Sequence, residues 1–301
     1  VTHYGATDSI MGGRRAIQPK YDRHTDMTFW RKLGLACGQD PANWPWETEE
    51  EAYFHILEPL GLGGVESYND FVDYYRMYYP PLHQNKFKAN GFWTPSGKVE
   101  CNSTILRELG YPGMPTYIGC IENEIDTPEI AEEYPIVLTT GGGFMPYHHS
   151  EHFQMQGIRY LYPDPYFSIN PELAEKLNIA YGDWCWIETE FGKIRETADL
   201  YYGVPEGVVN LEHQWWYPEI TEPGRGFQFS AVNQLISPDD GDPLCGSSNL
   251  RAYMVNVYKA TAENSPYGNP CPCLEDGTEI IHDASDARLK EWLPQYDGRS
   301  E

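Results

Sequence analysis

Basic residues are scarce in this chain: 21 Lys and Arg stand against 45 Asp and Glu, a formal charge of −24 over 301 residues. A nucleic-acid backbone is gripped by clustered Lys and Arg, and the nearest approach to a cluster is the isolated pair Arg14-Arg15. That balance excludes a nucleic-acid partner. A local anion site built from backbone N–H groups stays open, because it needs no net positive charge. Long apolar runs are missing as well. No segment nears the roughly 18 residues that cross a bilayer, so no membrane span is expected. Cysteine is present without a framework: Cys37, Cys101, Cys120, Cys185 and Cys245 stand alone, and only Cys271 and Cys273 lie close. Neither a disulfide scaffold nor paired CxxC metal ligation has that spacing. A P-loop and a dinucleotide glycine fingerprint are absent too. No secretory leader is visible, and the opening VTHYGATDSIMGG reads as mid-protein, so a fragment is expected.

What the chain does have is apolar content of 41% and a heavy share of Tyr (23) and Trp (9), the profile of a packed core with polar-tipped aromatics. The first 134 residues read as helix and loop. Asp26 is a candidate cap for a helix through Cys37, Thr48 with Glu51 forms a capping-box pattern for a helix to Leu57, and Ser67–Tyr79 is a third helix stopped by Pro80-Pro81. Its Tyr-rich face is read as packing. The acid-rich stretch Ile121–Glu133 reads as a solvated linker.

From Pro135 the texture changes to short strands: Pro135–Thr140, Tyr166–Ile169, a hairpin of Asp183–Glu190 with Lys193–Tyr201, Val208–Leu211 and Tyr253–Tyr258. A short helix, Glu172–Leu177, follows Pro171. Closely spaced short strands predict an α+β chain whose second part is a barrel or sandwich rather than a parallel α/β sheet. The expected organisation is 1–134, a helical remainder plus linker; 135–262, the β domain; and 263–301, an extended tail packing on the surface.

Chemistry concentrates in four segments. Gly91–Glu100 is a Thr-Pro-Ser-Gly turn feeding a strand. In Leu138–His152 a strand runs into Gly141-Gly142-Gly143, whose amides can approach a ligand with no Cβ in the way. The same stretch gathers His148, His149, Ser150 and His152, and His148 and His152 are four apart, a spacing that chelates zinc from a helix. A zinc hydrolase using His148, His149 and His152 is therefore one alternative, although HHSEH is not HExxH. The third segment, Asn170–Tyr217, ends in His213-Gln214-Trp215-Trp216, which suits either a core or the wall of a flat ring system. The fourth, Ser230–Lys259, holds Asn233, Asp242–Gly246 and the last strand. A non-catalytic β-barrel binding module is the second alternative.

The order of these motifs resembles the molybdopterin oxidoreductase superfamily of the dimethyl sulfoxide reductase type. The matching stretches are TPSGKVE (Thr94–Glu100), LTTGG (Leu138–Gly142) with HHS (His148–Ser150), NPELAEKLNIAYGDW (Asn170–Trp184), GVVNLEHQWWYPE (Gly207–Glu219), NQL (Asn233–Leu235), DPLCG (Asp242–Gly246) and VYK (Val257–Lys259). HHSEH and HQWWYPE look most like the branch of acetylene hydratase and catechol dehydroxylases. The resemblance implies a double-psi β-barrel over 135–262 that closes on molybdopterin guanine dinucleotide, carrying molybdenum or tungsten. Carried over by motif, Thr140, Gly141, Gly142, His148, His149, Ser150, His213, Trp215, Asn233 and Lys259 would contact that cofactor. Gly142-Gly143 stands where many members carry Arg, and Gln214 replaces a Gly. No counterpart of the family's 4Fe-4S cysteine motif or metal ligand is present, so both are expected in N-terminal domains of the same enzyme, and this portion alone is not expected to turn over substrate. An iron–sulfur electron-transfer subunit is a further candidate partner. The compartment, prokaryotic cytoplasm or cell envelope, stays open.

Overall fold

The computed structural model describes residues 2–4, 9–81, 84–117, 122–142, 147, 149–213, 215–220, 224–239, 241–247, 253–265, 271–273, 279–283 and 285–291. Two compact units divide the chain at Pro115 and Thr116.

In the first unit, β1 (Thr2–Tyr4), β2 (Ser9–Met11) and β3 (Met77–Tyr78) make an antiparallel sheet in that order. Helix α1 (Asp26–Ala36) is capped by Thr25, whose hydroxyl accepts from the Thr28 N–H; Asp26 is its first helical residue rather than its cap. Helix α2 (Glu49–Leu57) has the full capping box between Thr48 and Glu51. Helix α3 (Tyr68–Tyr74) ends before the expected Tyr79, because Arg76 turns to φ +56° and Met77–Tyr78 pair with β2 instead. Two short helices, α4 (Lys86–Asn90) and α5 (Thr104–Glu108), complete the unit, and its core is Leu57, Tyr68, Phe71 and Val72.

The second unit is a closed six-stranded barrel. Its strands are β4 (Ile136–Thr140), β5 (Tyr166–Ile169), β6 (Trp184–Thr189), β7 (Gly192–Leu200), β8 (Val208–Leu211) and β9 (Tyr253–Lys259), in the spatial order β4-β8-β5-β7-β6-β9. Two pairs, β4 with β8 and β5 with β7, are parallel, and the rest are antiparallel, which gives the double-psi arrangement. Following paired residues once around returns to β4 about ten residues before the start, the stagger that tilts the strands and closes the sheet. All six strands were readable as short apolar or alternating runs broken by turn residues.

Alternation sends one face inward. Leu138, Phe167, Ile169, Cys185, Ile187, Ile194, Val209, Leu211, Val255 and Val257 fill the barrel, and helix α8 (Pro171–Lys176) adds Ala174. The outer face carries a second, aromatic core of Tyr147, Phe153, Trp184, Trp186, Trp215 and Tyr217 with Ile280. Helix α6 (Pro128–Glu133) precedes the first barrel strand, α7 (Gln156–Leu161) and α9 (Phe227–Ser230) lie between strands, and α10 (Ala287–Glu291) follows the last.

Two sequence expectations are corrected here. Residues 122–133 are not simply a solvated linker: Glu122 is only 4% exposed and accepts the Met254 backbone N–H of β9 at 2.7 Å, and 128–133 are helical. Nor are the described residues of the tail wholly superficial, since Ile280, Ile281 and Leu289 are buried. Apolar residues in a polar, Pro-rich context were underweighted.

One ion pair binds these parts. Arg159, fully buried on α7, donates through Nε to the Pro163 carbonyl at 2.7 Å and through its terminal nitrogens to the Phe153 and Ile281 carbonyls and the Glu219 carboxylate. Glu219 Oε1 in turn accepts the Ile281 N–H at 2.6 Å. We predict that Arg159→Ala, which strands Glu219 in the core, lowers unfolding free energy by about 3–5 kcal/mol, read as a shifted urea midpoint in tryptophan fluorescence. A loss under about 1 kcal/mol would show that the knot carries little.

Candidate functional site

Parallel neighbours end at the same edge of a sheet. Because β4 and β8 run parallel, with Thr140 paired to Leu211, the loops that follow them emerge side by side. The first loop turns at Gly141 (φ +130°) and Gly142 (φ +80°), backbone that a side chain rarely tolerates. It is pinned to β8: the Gly141 N–H donates to the Leu211 carbonyl at 3.2 Å, and the Asn210 side-chain amide donates to the Gly141 carbonyl at 3.1 Å. A Cβ placed on Gly142 would meet open space, so that turn presents its backbone outward.

The chain returns at Tyr147 and meets the second loop. His149 Nδ1 and His213 Nε2 lie 2.7 Å apart, with rings crossed at 67°. Trp216 Nε1 donates to the Ser150 carbonyl at 2.7 Å. His149 and His152 both take positive φ, +66° and +77°, uncommon for non-glycine residues. His149 and His152 therefore lie outside any helix, and among the described residues no group of three or more His, Cys, Asp or Glu is placed to hold a metal ion. His148 and Gly143 lie outside the described residues.

Electrostatics bias this junction toward neutrality. Burial lowers the His213 pKa, the neighbouring His149 lowers it further, and a hydrogen bond with the Gly142 backbone opposes both. Deeper in the barrel Glu196 is fully buried, and its two oxygens have no partner among the described residues. Burial first, then the charge of Glu212, pushes its carboxyl well above the usual carboxylate range.

The remaining sequence-expected residues are placed differently. Trp215 is 1% exposed and packs on Phe153, Tyr147 and Tyr217 with Arg159 over its ring, so it supports the loop from behind while Trp216 reaches Ser150. Asn233 is exposed on a 3-10 turn, Val232–Leu235, that is tied to the tip of the β6–β7 hairpin by Thr189 Oγ1 donating to the Leu235 carbonyl. Lys259 closes β9 in a 2.7 Å ion pair with Asp183. The structure thus joins Gly141, Gly142, His149, Ser150 and His213, and sets Asn233 and Lys259 at other points of the barrel. The His149–His213 pairing was not foreseen, although HHS and HQWW after two strands of like direction were the available signal.

Comparison with known proteins bears on this edge. Residues 136–254 match the family described as "Molydopterin dinucleotide binding domain". The chain is 53% identical over 214 residues to the dopamine dehydroxylase of Eggerthella lenta, a match over 69% of this chain and 21% of that protein. It is 29% identical over 255 residues to the acetylene hydratase of Syntrophotalea acetylenica, covering 82% of this chain and 34% of the relative. The solved acetylene hydratase from Pelobacter acetylenicus superposes with a TM-score of 0.75 at 27% identity, over 84% of this chain and 35% of that one. The chain belongs to the molybdopterin oxidoreductase superfamily.

As a member of that superfamily it spans about a fifth to a third of the length of these relatives. Its matched region contains every barrel strand from β4 to β8 and the start of β9, with both loops of the histidine junction. Among the described residues no helix is long and apolar enough to cross a membrane.

Two outcomes follow from the electrostatics. In a histidine-resolved NMR titration, His213 should titrate below the ordinary 6.5, and His149→Gln should move it upward; an unshifted His213 would refute the coupling. For Glu196 the folded pKa is raised, so the folded state holds more protons above about pH 4.5 and stability falls as pH rises from there. Glu196→Gln should flatten the decline in urea midpoint between acid and mildly alkaline buffer, whereas parallel wild-type and variant curves would contradict the assignment.

Proposed function

We propose that this chain is the cofactor-clamping C-terminal portion of a molybdenum- or tungsten-dependent bis(molybdopterin guanine dinucleotide) enzyme. The observation that carries the reading is the contact between His149 and His213, which locks two loops of a molybdopterin dinucleotide binding domain at an outward-facing glycine turn. The residues fit such a group. The outward-facing turn at Gly142, where no Cβ would crowd a ligand, suits an anionic phosphate bridge, and paired imidazole edges suit the polar rim of a fused heterocycle.

In this reading Thr140, Gly141, Gly142, His148, His149, Ser150 and His213 form the principal grip, Asn233 and Lys259 hold other parts of the ligand, and Trp215 buttresses His213 from the core. When bound, the metal–pterin group supplies two-electron transfer or hydration and dehydroxylation chemistry. This chain's residues bind and orient: Asn210 fixes the glycine turn, and His213, biased toward its neutral form, presents hydrogen-bonding edges without adding positive charge. The metal ligand and a 4Fe-4S cluster belong to N-terminal domains of the same enzyme, and an iron–sulfur subunit is the proposed electron partner. The names of the relatives favour the dehydroxylase and hydratase branch over the trimethylamine-N-oxide reductases, to which identity is lower.

The test is metal and pterin analysis of the whole enzyme. Molybdenum or tungsten with stoichiometric pterin is expected, and His149→Ala and Asn233→Ala should each lower pterin content severalfold. Unchanged occupancy in both variants would remove these residues from the grip, and zinc without pterin would overturn the reading.

A further inference from the structure

A cleft on the outer wall of the barrel has no part in the cofactor reading, and strand alternation builds it. Phe167, Cys185 and Ala198 turn into the barrel core, so Tyr166 on β5, Trp184 on β6, and Thr197 and Asp199 on β7 stand on the opposite face. The ladder sets them side by side: Thr197 pairs with Tyr166 on one flank and with Trp184 on the other. The segment leaving α7 adds a second wall with Tyr162 and Asp164, and the turn before β6 adds Tyr181. The space between them is about 370 Å³, within the range of about 300–1,000 Å³ that holds a small molecule. Its walls are tied in place. Thr197 Oγ1 donates to the Pro165 carbonyl at 2.7 Å, the Tyr147 hydroxyl donates to the Tyr162 carbonyl, and Arg159 Nε holds the Pro163 carbonyl. Among the described residues, none of those proposed for the cofactor grip lines this cleft.

Aromatic rings dominate the lining. The Tyr162 and Tyr166 rings lie 4.6 Å apart and cross at 71°, a corner rather than a flat stack, and Tyr181, 75% exposed, stands at the rim. Rings at steep angles are the arrangement that surrounds an ammonium group, because a cation is drawn to the negative face of each ring it meets. Charge agrees with shape. Among the described residues no Lys or Arg lines the cleft, whereas two carboxylates do, Asp164 and Asp199. Asp164 is already answered: His282 Nδ1 lies 2.7 Å from its Oδ1, and that bond is the chief cause raising the imidazole pKa to about 10, so the pair is neutral as a whole. Asp199 has no hydrogen-bond or ion-pair partner for its side chain among the described residues. Its field reaches the tyrosine corner. Burial first, and then the negative charges of Glu212, Asp199 and Glu196, push the Tyr166 hydroxyl up to about 12. The kind of cation follows from what the cleft lacks. A bare metal ion takes several oxygen ligands, and one free carboxylate beside a hydroxyl committed to Pro165 does not supply them. A primary ammonium has three N–H donors to satisfy. A methylated ammonium is bound instead through its methyl-covered surface by ring faces.

We propose that this cleft on β5, β6 and β7 is a binding site for a small methylated ammonium compound, with Tyr162, Tyr166 and Tyr181 around the cationic head and Asp199 as its counter-charge. The chain's net charge of −24 favours the encounter by concentrating cations at the surface. The site is one of recognition, with no bond made or broken in it, and it stands whether or not the cofactor reading does.

The experiment is isothermal titration calorimetry of the intact holoenzyme with choline chloride and with 3,3-dimethylbutan-1-ol, the uncharged molecule of the same shape. Choline is expected to bind about tenfold or more tightly than the alcohol, because ring faces and a carboxylate distinguish the two by charge alone. Asp199→Asn should weaken choline about threefold or more and leave the alcohol unchanged. Tyr166→Leu should weaken choline by a similar factor, whereas Tyr166→Phe should bind it as the wild type does, since the ring face and not the hydroxyl makes the contact. Equal affinity for the two probes in the wild-type protein, a comparison that needs no variant, would overturn the proposal. So would unchanged choline affinity in Asp199→Asn, or no choline binding up to about 10 mM. Pterin content in Asp199→Asn is expected to stay at the wild-type level, so loss of choline binding and failure of the cofactor reading are told apart.

Discussion

A single guanidinium holds the second unit together. Arg159 has no access to water, so each of its N–H groups must be answered from within, and the answers come from four stretches of chain: the loop before α7, the turn after it, the segment after the double tryptophan, and the tail. Its stacking over Trp215 ties the same knot to the aromatic core behind His213. The position of the histidine junction therefore depends on a charge buried on the opposite side of the indole.

The junction also depends on strand direction. Antiparallel neighbours carry their following loops to opposite ends, whereas the β4–β8 pair delivers both loops to one edge. Everything that then makes the edge useful is a consequence of backbone: glycines at positive φ, two histidines at positive φ, and amide and indole donors that clamp the loops to each other. The chain's heavy negative charge does not by itself bar an anion from such an edge, because backbone N–H dipoles attract one without net positive charge.

Much of this was legible from residues alone. All six barrel strands announced themselves as short apolar or alternating runs between turns, and the Thr48–Glu51 capping box marked the start of α2. The motif order pointed to the right superfamily and to the two loops. What escaped was of one physical kind, long-range pairing. Nothing local tells that Glu122 satisfies a β9 amide, that Ile280 and Ile281 leave a polar tail for the core, or that Trp215 turns inward while Trp216 reaches a loop carbonyl. Local propensity likewise overran at Tyr74, where a strand partner won the competition against one more helical turn.

The seam between β4 and β9 has a bearing on how the protein is made. First and last strands of the barrel are neighbours, so the sheet stays an open ribbon until Tyr253–Lys259 has left the ribosome, and Arg159 stays unanswered until Ile281 follows. Pairings so distant along the chain form slowly and late. Throughout synthesis the tryptophan-rich flank is uncovered, a period in which a nascent molecule is most in need of chaperone cover.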